Sequence, residues 1–272
     1  MLTFLTIDKA ESLFFPIRHK ISEEVKNIGG VEVKHIKCIH RRGRIPYEKI
    51  KKLSCGQNDR LLTKEDLILP EDSGLRRFCS VELSERLCLN MAAQILKELQ
   101  KNSDNLRVAV YDPEGSVADG AAVLLKFTKS LTAVTRMTGI YSAEAERIMN
   151  ESGAVLKVSK GMKSLENAKL IIAPQKLKAQ LPVGKDAVIL TVLPPAVSQK
   201  GAVYYKYYFT LTDELKSLCP DGFDGSYVAS ALYTLLGRFD LGSIVPLATK
   251  GDFGTQTLVS LKKYLMNISL NP

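Results

Sequence analysis

From residue 106 onward, short apolar runs alternate with stretches that have helical spacing. The apolar runs are RVAVY, LTAVT, AVLKV, KLIIA and DAVILTV, and the stretches between them include AAVLLKFTK, SAEAERIMNES and MKSLENA. This alternation predicts right-handed crossovers between parallel strands. The sequence therefore predicts an α/β fold with a doubly wound, mainly parallel sheet over residues 105–200. We expect Ser116 to cap the first helix, Ser142 to begin the second and Gly153 to end it.

The first hundred residues predict a smaller α/β unit. LTFLTI and VEVKHIKCI are predicted strands, with a helix near 22–27 before the Gly29-Gly30 turn and another over 46–53. The segment SVELSERLCLNMAAQILKELQ predicts a long helix that connects the two units. Its apolar residues recur every four positions and form one stripe: Leu83, Leu87, Met91, Ile95 and Leu99.

The predicted organisation has three parts. Residues 1–104 form the N-terminal unit with the connecting helix, 105–200 form the Rossmann-like domain, and 201–272 supply a strand and helices near 227–236 and 255–266. The strand contains YYKYYF, Tyr204 to Phe209. Alternation puts Tyr204, Lys206 and Tyr208 on one face. If this were an edge strand, an exposed tyrosine row would offer a contact surface for another protein; packing of both rows in the core is the alternative.

The stretch YDPEGSVADGAAVLL follows the first predicted strand of the second part, where α/β proteins commonly bind phosphate. In the dinucleotide fingerprint GxGxxG, the three glycines would fall on Asp112, Glu114 and Val117. Gly115 is out of register. Asp112, Glu114 and Asp119 instead surround a helix N-terminus with carboxylates. We therefore expect a degenerate loop that fills its own anion site.

This part resembles the Rossmann-type NADP-binding domains in its strand pattern over about 106–192. The resemblance implies that Arg136, at the end of the second strand in LTAVTR, would contact the phosphate of NADP. We favour the alternative that Arg136 pairs with Asp112 or Glu114. Any ligand should lie at the carboxyl ends of the strands, near a group of candidate binding residues: Asp112, Glu114, Gly115, Ser116, Thr135, Arg136, Pro174 and Pro194.

YDPEGSV also resembles the Asp-x-Asp-Gly-Thr loop of the haloacid dehalogenase-like phosphatases. That resemblance implies Asp112 as nucleophile, Glu114 as general acid and Mg²⁺ between them. Thr135 would match the family's second-strand hydroxyl, and Lys157 or Lys160 its later lysine. Glu114 stands where the family has a second Asp, and the later strands continue as IIAPQKL and ILTVLPPAV, without acidic metal ligands.

Composition narrows the classes of partner. The net charge is +9, and eight lysines and arginines lie between Lys34 and Lys52, but Tyr47 is the only aromatic residue among them, so nucleic-acid binding is not expected. There is no apolar run long enough to span a membrane. Asp8, Lys9 and Glu11 interrupt the apolar start of the chain, and the five cysteines have no CxxC spacing, as expected of a cytoplasmic protein.

The function predicted from these features is a binding or structural role with a small-molecule or nucleotide ligand. An NADP-dependent oxidoreductase and a Mg²⁺-dependent phosphatase are the alternatives. We assign no catalytic residue and no metal ligand. His35, Cys38 and His40 come close in sequence, but strand alternation separates His35 from the other two.

Overall fold

The structure is a computed structural model that describes residues 1–10, 19–40, 45–99, 106–129, 131–237, 241 and 244–270. Its strands, in chain order, are β1 (Leu2–Lys9), β2 (His19–Ile28), β3 (Val31–His40), β4 (Leu62–Thr63), β5 (Val108–Tyr111), β6 (Leu131–Val134), β7 (Leu156–Ser159), β8 (Leu170–Ala173), β9 (Val188–Thr191), β10 (Ala202–Tyr208), β11 (Ala248–Gly251) and β12 (Gly254–Thr257). Its helices are α1 (Tyr47–Leu53), α2 (Glu82–Leu99), α3 (Ala118–Leu124), α4 (Thr138–Ser152), α5 (Asp213–Ser217), α6 (Gly225–Leu235) and α7 (Leu258–Leu270). Short 3-10 helices cover Glu71–Ser73 and Met162–Leu165.

The chain divides into two compact units. Unit 1 comprises Met1–Leu83 and Leu211–Gly242, and unit 2 comprises Ser84–Thr210 and Ser243–Pro272. This division differs from the one expected from sequence, because most of α2 belongs to unit 2 and the chain returns to unit 1 for α5 and α6. The expected boundary after residue 104 lies outside the described residues.

Unit 1 contains a four-stranded sheet in the order β2-β3-β1-β4. β1 pairs in parallel with β3 and β4, whereas β2 and β3 form an antiparallel hairpin. The helix expected near 22–27 is therefore wrong, since this segment lies within β2. Gly29 and Gly30 make the turn with φ of 56° and 78°, the positive values that a two-residue hairpin turn requires. That turn holds a polar, largely exposed segment in register with β3.

The core of unit 1 lies on one face of this sheet. Leu5 and Ile36 on adjacent strands pack with Ile50 of α1 and with Leu61 and Leu75. The opposite face carries Phe4, whose ring meets that of Phe223 edge to face at 5.1 Å between centroids. Phe223 lies in the second stretch of unit 1, Leu211–Gly242, which we call the returning segment. Unit 1 thus buries both faces of β1, and both Phe4 and Leu5 are fully buried.

Unit 2 contains an eight-stranded sheet in the order β12-β11-β10-β9-β8-β5-β6-β7. Neighbouring strands from β7 across to β10 are parallel, and β11 and β12 extend the sheet antiparallel to them. Numbered from β5, the six parallel strands have the order 3-2-1-4-5-6 of dinucleotide-binding domains. The predicted fold class, α/β with a Rossmann-like and mainly parallel sheet after a smaller N-terminal unit, is confirmed.

The helices of unit 2 begin or end at residues other than those predicted from the sequence. α3 ends at Leu124 although the apolar pattern continued to residue 129, and α4 begins at Thr138, before the expected Ser142. The helix expected in MKSLENA is only the 3-10 helix at 162–165. Gly153 ends α4 as predicted, with φ of 70° and its N–H donating to the Met149 carbonyl.

α2 and α3 pack closely at a glycine. A Cβ added to Gly120 would lie 2.6 Å from Leu89 Cδ1, so no larger residue fits without displacing that side chain. The predicted apolar stripe of α2 is confirmed: Leu83, Leu87, Met91, Ile95 and Leu99 are all buried.

The tyrosine-rich strand β10 lies between β9 and β11, so of the two alternatives the edge strand is wrong. Its pairing with β11 shifts register between Tyr204 and Lys206, which breaks the expected alternation. As a result Tyr204 and Tyr207 are both buried. Among the described helices, none is long and apolar enough to cross a membrane.

Candidate functional site

The candidate binding residues follow β5, β6, β8 and β9, whose carboxyl ends share one edge of the parallel sheet. The backbone ladder continues one residue beyond two of these strands. Asp112 N donates to the Val134 carbonyl at 3.0 Å, and Thr135 N donates to the Ser159 carbonyl at 3.0 Å. Asp112 and Thr135 are therefore held by the sheet itself.

Asp112 is the centre of this edge. Its side chain is fully buried, at 0% exposure. Oδ2 accepts hydrogen bonds from Val117 N and from the Tyr141 hydroxyl, both at 2.9 Å. Oδ1 accepts from Gln175 Nε2 at 2.9 Å and from the Ser116 hydroxyl at 3.3 Å. Four donors from three segments of the chain satisfy one buried carboxylate, as a buried charge requires.

These partners connect Asp112 to three segments of the chain. Val117 immediately precedes α3, Tyr141 lies in the first turn of α4, and Gln175 follows β8. Tyr141 is itself fully buried. Burial, and then the Asp112 carboxylate, raise the pKa of Tyr141 well above its usual range, so the phenol stays protonated and continues to donate.

The start of α3 differs from the sequence prediction. Val117, not Ser116, is the N-cap residue, and it makes no side-chain cap. The Ser116 hydroxyl instead donates to Asp112. Asp112, five residues before Val117, substitutes for a side-chain cap because its carboxylate accepts the Val117 N–H. Glu114 and Asp119, the other two carboxylates of this segment, are exposed.

Gly115 closes the turn that starts at Asp112. Its N–H donates to the Asp112 carbonyl at 3.3 Å, and its φ is 74°, a value that favours glycine. A Cβ at this position would lie 3.0 Å from Met137 Cβ. Gly115 thus allows the loop after β5 to approach the start of α4, which is a packing role within the protein.

The loop after β6 places Thr135 and Arg136 differently. Thr135 is buried, and its hydroxyl accepts from Met137 N at 3.0 Å. Arg136 is exposed. In the described part of the chain, no ion pair joins Arg136 to Asp112 or Glu114, so the favoured interpretation of Arg136 is wrong. The physical reason is that Asp112 is buried and already satisfied by neutral donors.

The two candidate prolines differ in their exposure to solvent. Pro174 is buried directly before Gln175, whereas Pro194 is exposed. A second chain of hydrogen bonds runs behind Gln175: the Thr191 hydroxyl donates to the Gln175 carbonyl, and the Tyr207 hydroxyl donates to the Thr191 carbonyl, both at 2.7 Å. Gln175 is therefore fixed through its backbone while its side chain holds Asp112.

Sequence reasoning missed Tyr141 and Gln175. Tyr141 was overlooked because the second helix was expected to begin one residue later, at Ser142. Gln175 lies in IIAPQKL, where the sequence analysis considered only the lack of acidic metal ligands. A buried carboxylate needs donors, so residues with N–H or O–H groups just after neighbouring strands were the available signal.

The arrangement does not suit phosphatase chemistry. Both Asp112 oxygens are engaged by protein donors, whereas a nucleophile must reach a phosphorus atom. Glu114, Lys157 and Lys160 are exposed. Within the described residues there is no group of three or more His, Cys, Asp or Glu side chains that could hold a metal ion.

No family model and no curated protein sequence matches the chain. Among solved structures, it is similar to quinate dehydrogenase from Corynebacterium glutamicum in complex with NAD, at 13% identity and a TM-score of 0.32, covering 98% of this chain and 99% of that one. It is also similar to L-tryptophan dehydrogenase from Nostoc punctiforme, at 11% identity and a TM-score of 0.31, covering 86% and 66%. A third similar structure is Δ1-pyrroline-2-carboxylate reductase from Thermococcus litoralis in complex with NADH and L-proline, at 8% identity and a TM-score of 0.30. That match covers 68% of this chain and 59% of the reductase, so the chain spans about three fifths of the reductase's length.

Proposed function

We propose that the protein has a binding or structural role based on a degenerate Rossmann-like domain. One observation carries the proposal: the Asp112 carboxylate accepts the Val117 N–H at 2.9 Å. In a dinucleotide-binding domain, the backbone N–H groups at this helix end hold the pyrophosphate. Here the chain's own carboxylate takes the N–H that the phosphate would use.

Electrostatics adds to this competition. A phosphate placed about 4 Å from the Asp112 carboxylate would meet a repulsion of about 1 kcal/mol per charge pair in water and about 4 kcal/mol at an effective dielectric of 20. Asp112 is fully buried, so solvent screens it poorly. The residues of this loop therefore do not fit a pyrophosphate in the usual position.

A ligand of this domain would be a small molecule bound farther out along the same edge of the sheet. Ser116, Arg136 and Pro194 are exposed residues there. Open parallel sheets bind ligands outside the carboxyl ends of their strands. A ligand that meets these groups would not need the Val117 N–H.

The second candidate is an NADP-dependent oxidoreductase. Two observations favour it: the parallel strands have the order 3-2-1-4-5-6, and Arg136 follows the second of them and, in the described residues, has no ion pair to the loop carboxylates. An arginine there suits the 2′-phosphate of NADP. Under this candidate, the cofactor would be anchored by Arg136, and its pyrophosphate would have to lie away from Asp112.

A thermal-denaturation series separates the candidates. The full chain is heated alone, with NAD or NADP at about 1 mM, and with MgCl₂ at about 5 mM. A cofactor present at about 100 times its dissociation constant stabilises the native state by about 2.7 kcal/mol, which raises the Tm of a chain of this size by roughly 5 °C or more. The proposal expects less than about 1 °C with each additive.

Two variants give the series its control. Arg136→Ala and Lys126→Ala each remove one exposed positive charge from unit 2. A rise in Tm with NADP that Arg136→Ala abolishes and Lys126→Ala retains would establish the oxidoreductase candidate and reject the proposal. A rise with MgCl₂ alone would reject both candidates in favour of metal chemistry.

A further inference from the structure

Unit 1 has a groove of about 450 Å³ on the sheet face opposite its core cluster. We call it the His35 groove. One wall is made by side chains of β1, β2 and β3 together with Lys64, and the other by residues 217–221 of the returning segment. Its polar lining includes Thr6 and His35 and the charged residues Asp8, Glu24, Lys37 and Lys64. The groove is distinct from the residues discussed under the proposed function.

His35 is held in a fixed position in this groove. Its Nε2 shares a hydrogen bond of 2.8 Å with the hydroxyl of Thr6, which is buried. Its ring stands edge to face with those of Phe4 and Phe223, at centroid distances of 6.2 and 6.4 Å. In the described part of the chain, His35 Nδ1 has no protein partner. A positioned imidazole therefore has one ring nitrogen available to a ligand.

Two ion pairs engage four of the charged side chains that line the groove, and Lys37 and Asp221 lie outside them. Glu24 pairs with Lys26 at 2.7 Å, and Asp8 pairs with Lys64 at 3.6 Å. Lys37 lies beside Thr6 in the parallel register of β1 and β3 and is exposed. It forms no ion pair with any carboxylate in the described residues. Lys37 is therefore the lysine of the groove that a ligand can contact without breaking an existing ion pair.

The wall across from Lys37 carries one carboxylate, Asp221, which is also exposed. A carboxylate accepts hydrogen bonds but donates none. A ligand that spans the groove would therefore offer an oxyanion towards Lys37 and a hydroxyl or ammonium group towards Asp221. The volume suits a molecule of small-metabolite size.

We propose that the His35 groove binds a small organic oxyanion, a carboxylate or phosphate that also carries hydroxyl or amino groups. Lys37 supplies the charge, His35 Nδ1 supplies a hydrogen bond, and Asp221 selects for the donor groups. A hydrogen bond to a charged group is stronger than one between neutral groups, so the loss of Lys37 should weaken binding about tenfold.

The test is a nuclear magnetic resonance titration of the isotope-labelled full chain. The probes are sodium gluconate as the carboxylate, glycerol 3-phosphate as the phosphate and glycerol as the neutral control, each to about 20 mM, where millimolar affinity is detectable. We expect at least one anion to shift the amide signals of Thr6, His35 and Lys37, and glycerol to leave them unchanged. The anion that acts identifies which of the two oxyanions the groove prefers.

The variants Lys37→Gln and Lys49→Gln separate a site from general attraction to a basic protein. Lys49 is an exposed lysine of α1 outside the groove. Lys37→Gln should raise the dissociation constant about tenfold or more, and Lys49→Gln should leave it unchanged. The proposal is overturned if neither anion shifts these signals, if glycerol shifts them equally, or if both variants weaken binding to the same extent.

Discussion

Asp112 in unit 2 and His35 in unit 1 are both polar side chains held against a sheet, but they differ in their partners. Asp112 is fully buried and accepts four hydrogen bonds. Within the described residues, the His35 side chain has one hydrogen-bond partner, Thr6, and it lines a groove. A buried group whose hydrogen-bonding capacity is filled by the protein stabilises the fold, whereas a positioned group with free capacity is available to a ligand.

The largest effect should come from Asp112→Asn. The variant keeps the shape but replaces one acceptor oxygen with an NH₂ group, so donors that now meet Oδ1 or Oδ2 would face another donor. Each buried group left unsatisfied costs about 1–3 kcal/mol, so we expect the free energy of unfolding to fall by about 2 kcal/mol or more. Urea denaturation measures it. Asp119→Asn, at an exposed carboxylate of the same segment, should change it by less than about 0.5 kcal/mol. Stabilisation by Asp112→Asn would instead indicate a strained site built for a ligand.

Tyr141→Phe should have the next largest effect. It removes the hydroxyl that donates to Asp112 Oδ2 and leaves the buried ring in place. We expect a loss of about 1–2 kcal/mol in the free energy of unfolding. In the Asp112→Asn background the loss should be smaller, because the two residues share one interaction. Equal losses in both backgrounds would mean that the 2.9 Å contact contributes no coupling.

His35 should give unit 1 a mild pH dependence. Burial, and then Lys37 and Lys26, lower the pKa of His35, while Glu24 and Asp8 oppose this. The unfolded chain therefore takes up a proton at higher pH than the folded one, near the usual pKa of about 6.5. Stability should be complete above that value and decline as the pH falls through it.

Urea denaturation at pH 7.5 and pH 5.5 measures this decline. His35→Asn should reduce the difference in the free energy of unfolding between the two pH values. A difference that persists fully in His35→Asn would assign the pH dependence to other groups.

Arg136→Ala should have the smallest effect. The sequence favoured an ion pair between Arg136 and the loop carboxylates, which would make this substitution cost about 1 kcal/mol. In the structure the side chain is exposed and has no such pair, so the expected change is within about 0.5 kcal/mol. Urea denaturation of the parent and the variant decides between the two values.

The strand pattern of unit 2 was predictable because buried parallel strands are continuous apolar runs. RVAVY, LTAVT and KLIIA contain β5, β6 and β8. The hairpin strand β2 could not be predicted from an apolar pattern, because its sequence HKISEEVKNI is polar and largely exposed. The pairing of β2 depends on the Gly29-Gly30 turn and on β3.

The candidate site was predictable only in part. The excess of carboxylates after β5 could be read from YDPEGSVADG, but the donors that satisfy Asp112 come from Tyr141 and Gln175, far along the chain. Neither residue has a local signal of that role. The return of α5 and α6 to unit 1 also depends on long-range packing, which periodicity along the chain does not report.

The central claim is that the Val117 N–H is held by Asp112 and is not available to a phosphate. Hydrogen–deuterium exchange of the Val117 amide tests this most directly, because exchange is slow when an amide is buried and hydrogen-bonded. We predict that the Val117 amide is protected in the free protein, that NADP at about 1 mM leaves its exchange rate unchanged, and that Asp112→Asn accelerates it. Rapid exchange in the free protein that slows on addition of NADP would contradict the account, since it would mean that the N–H is open and that a dinucleotide binds there.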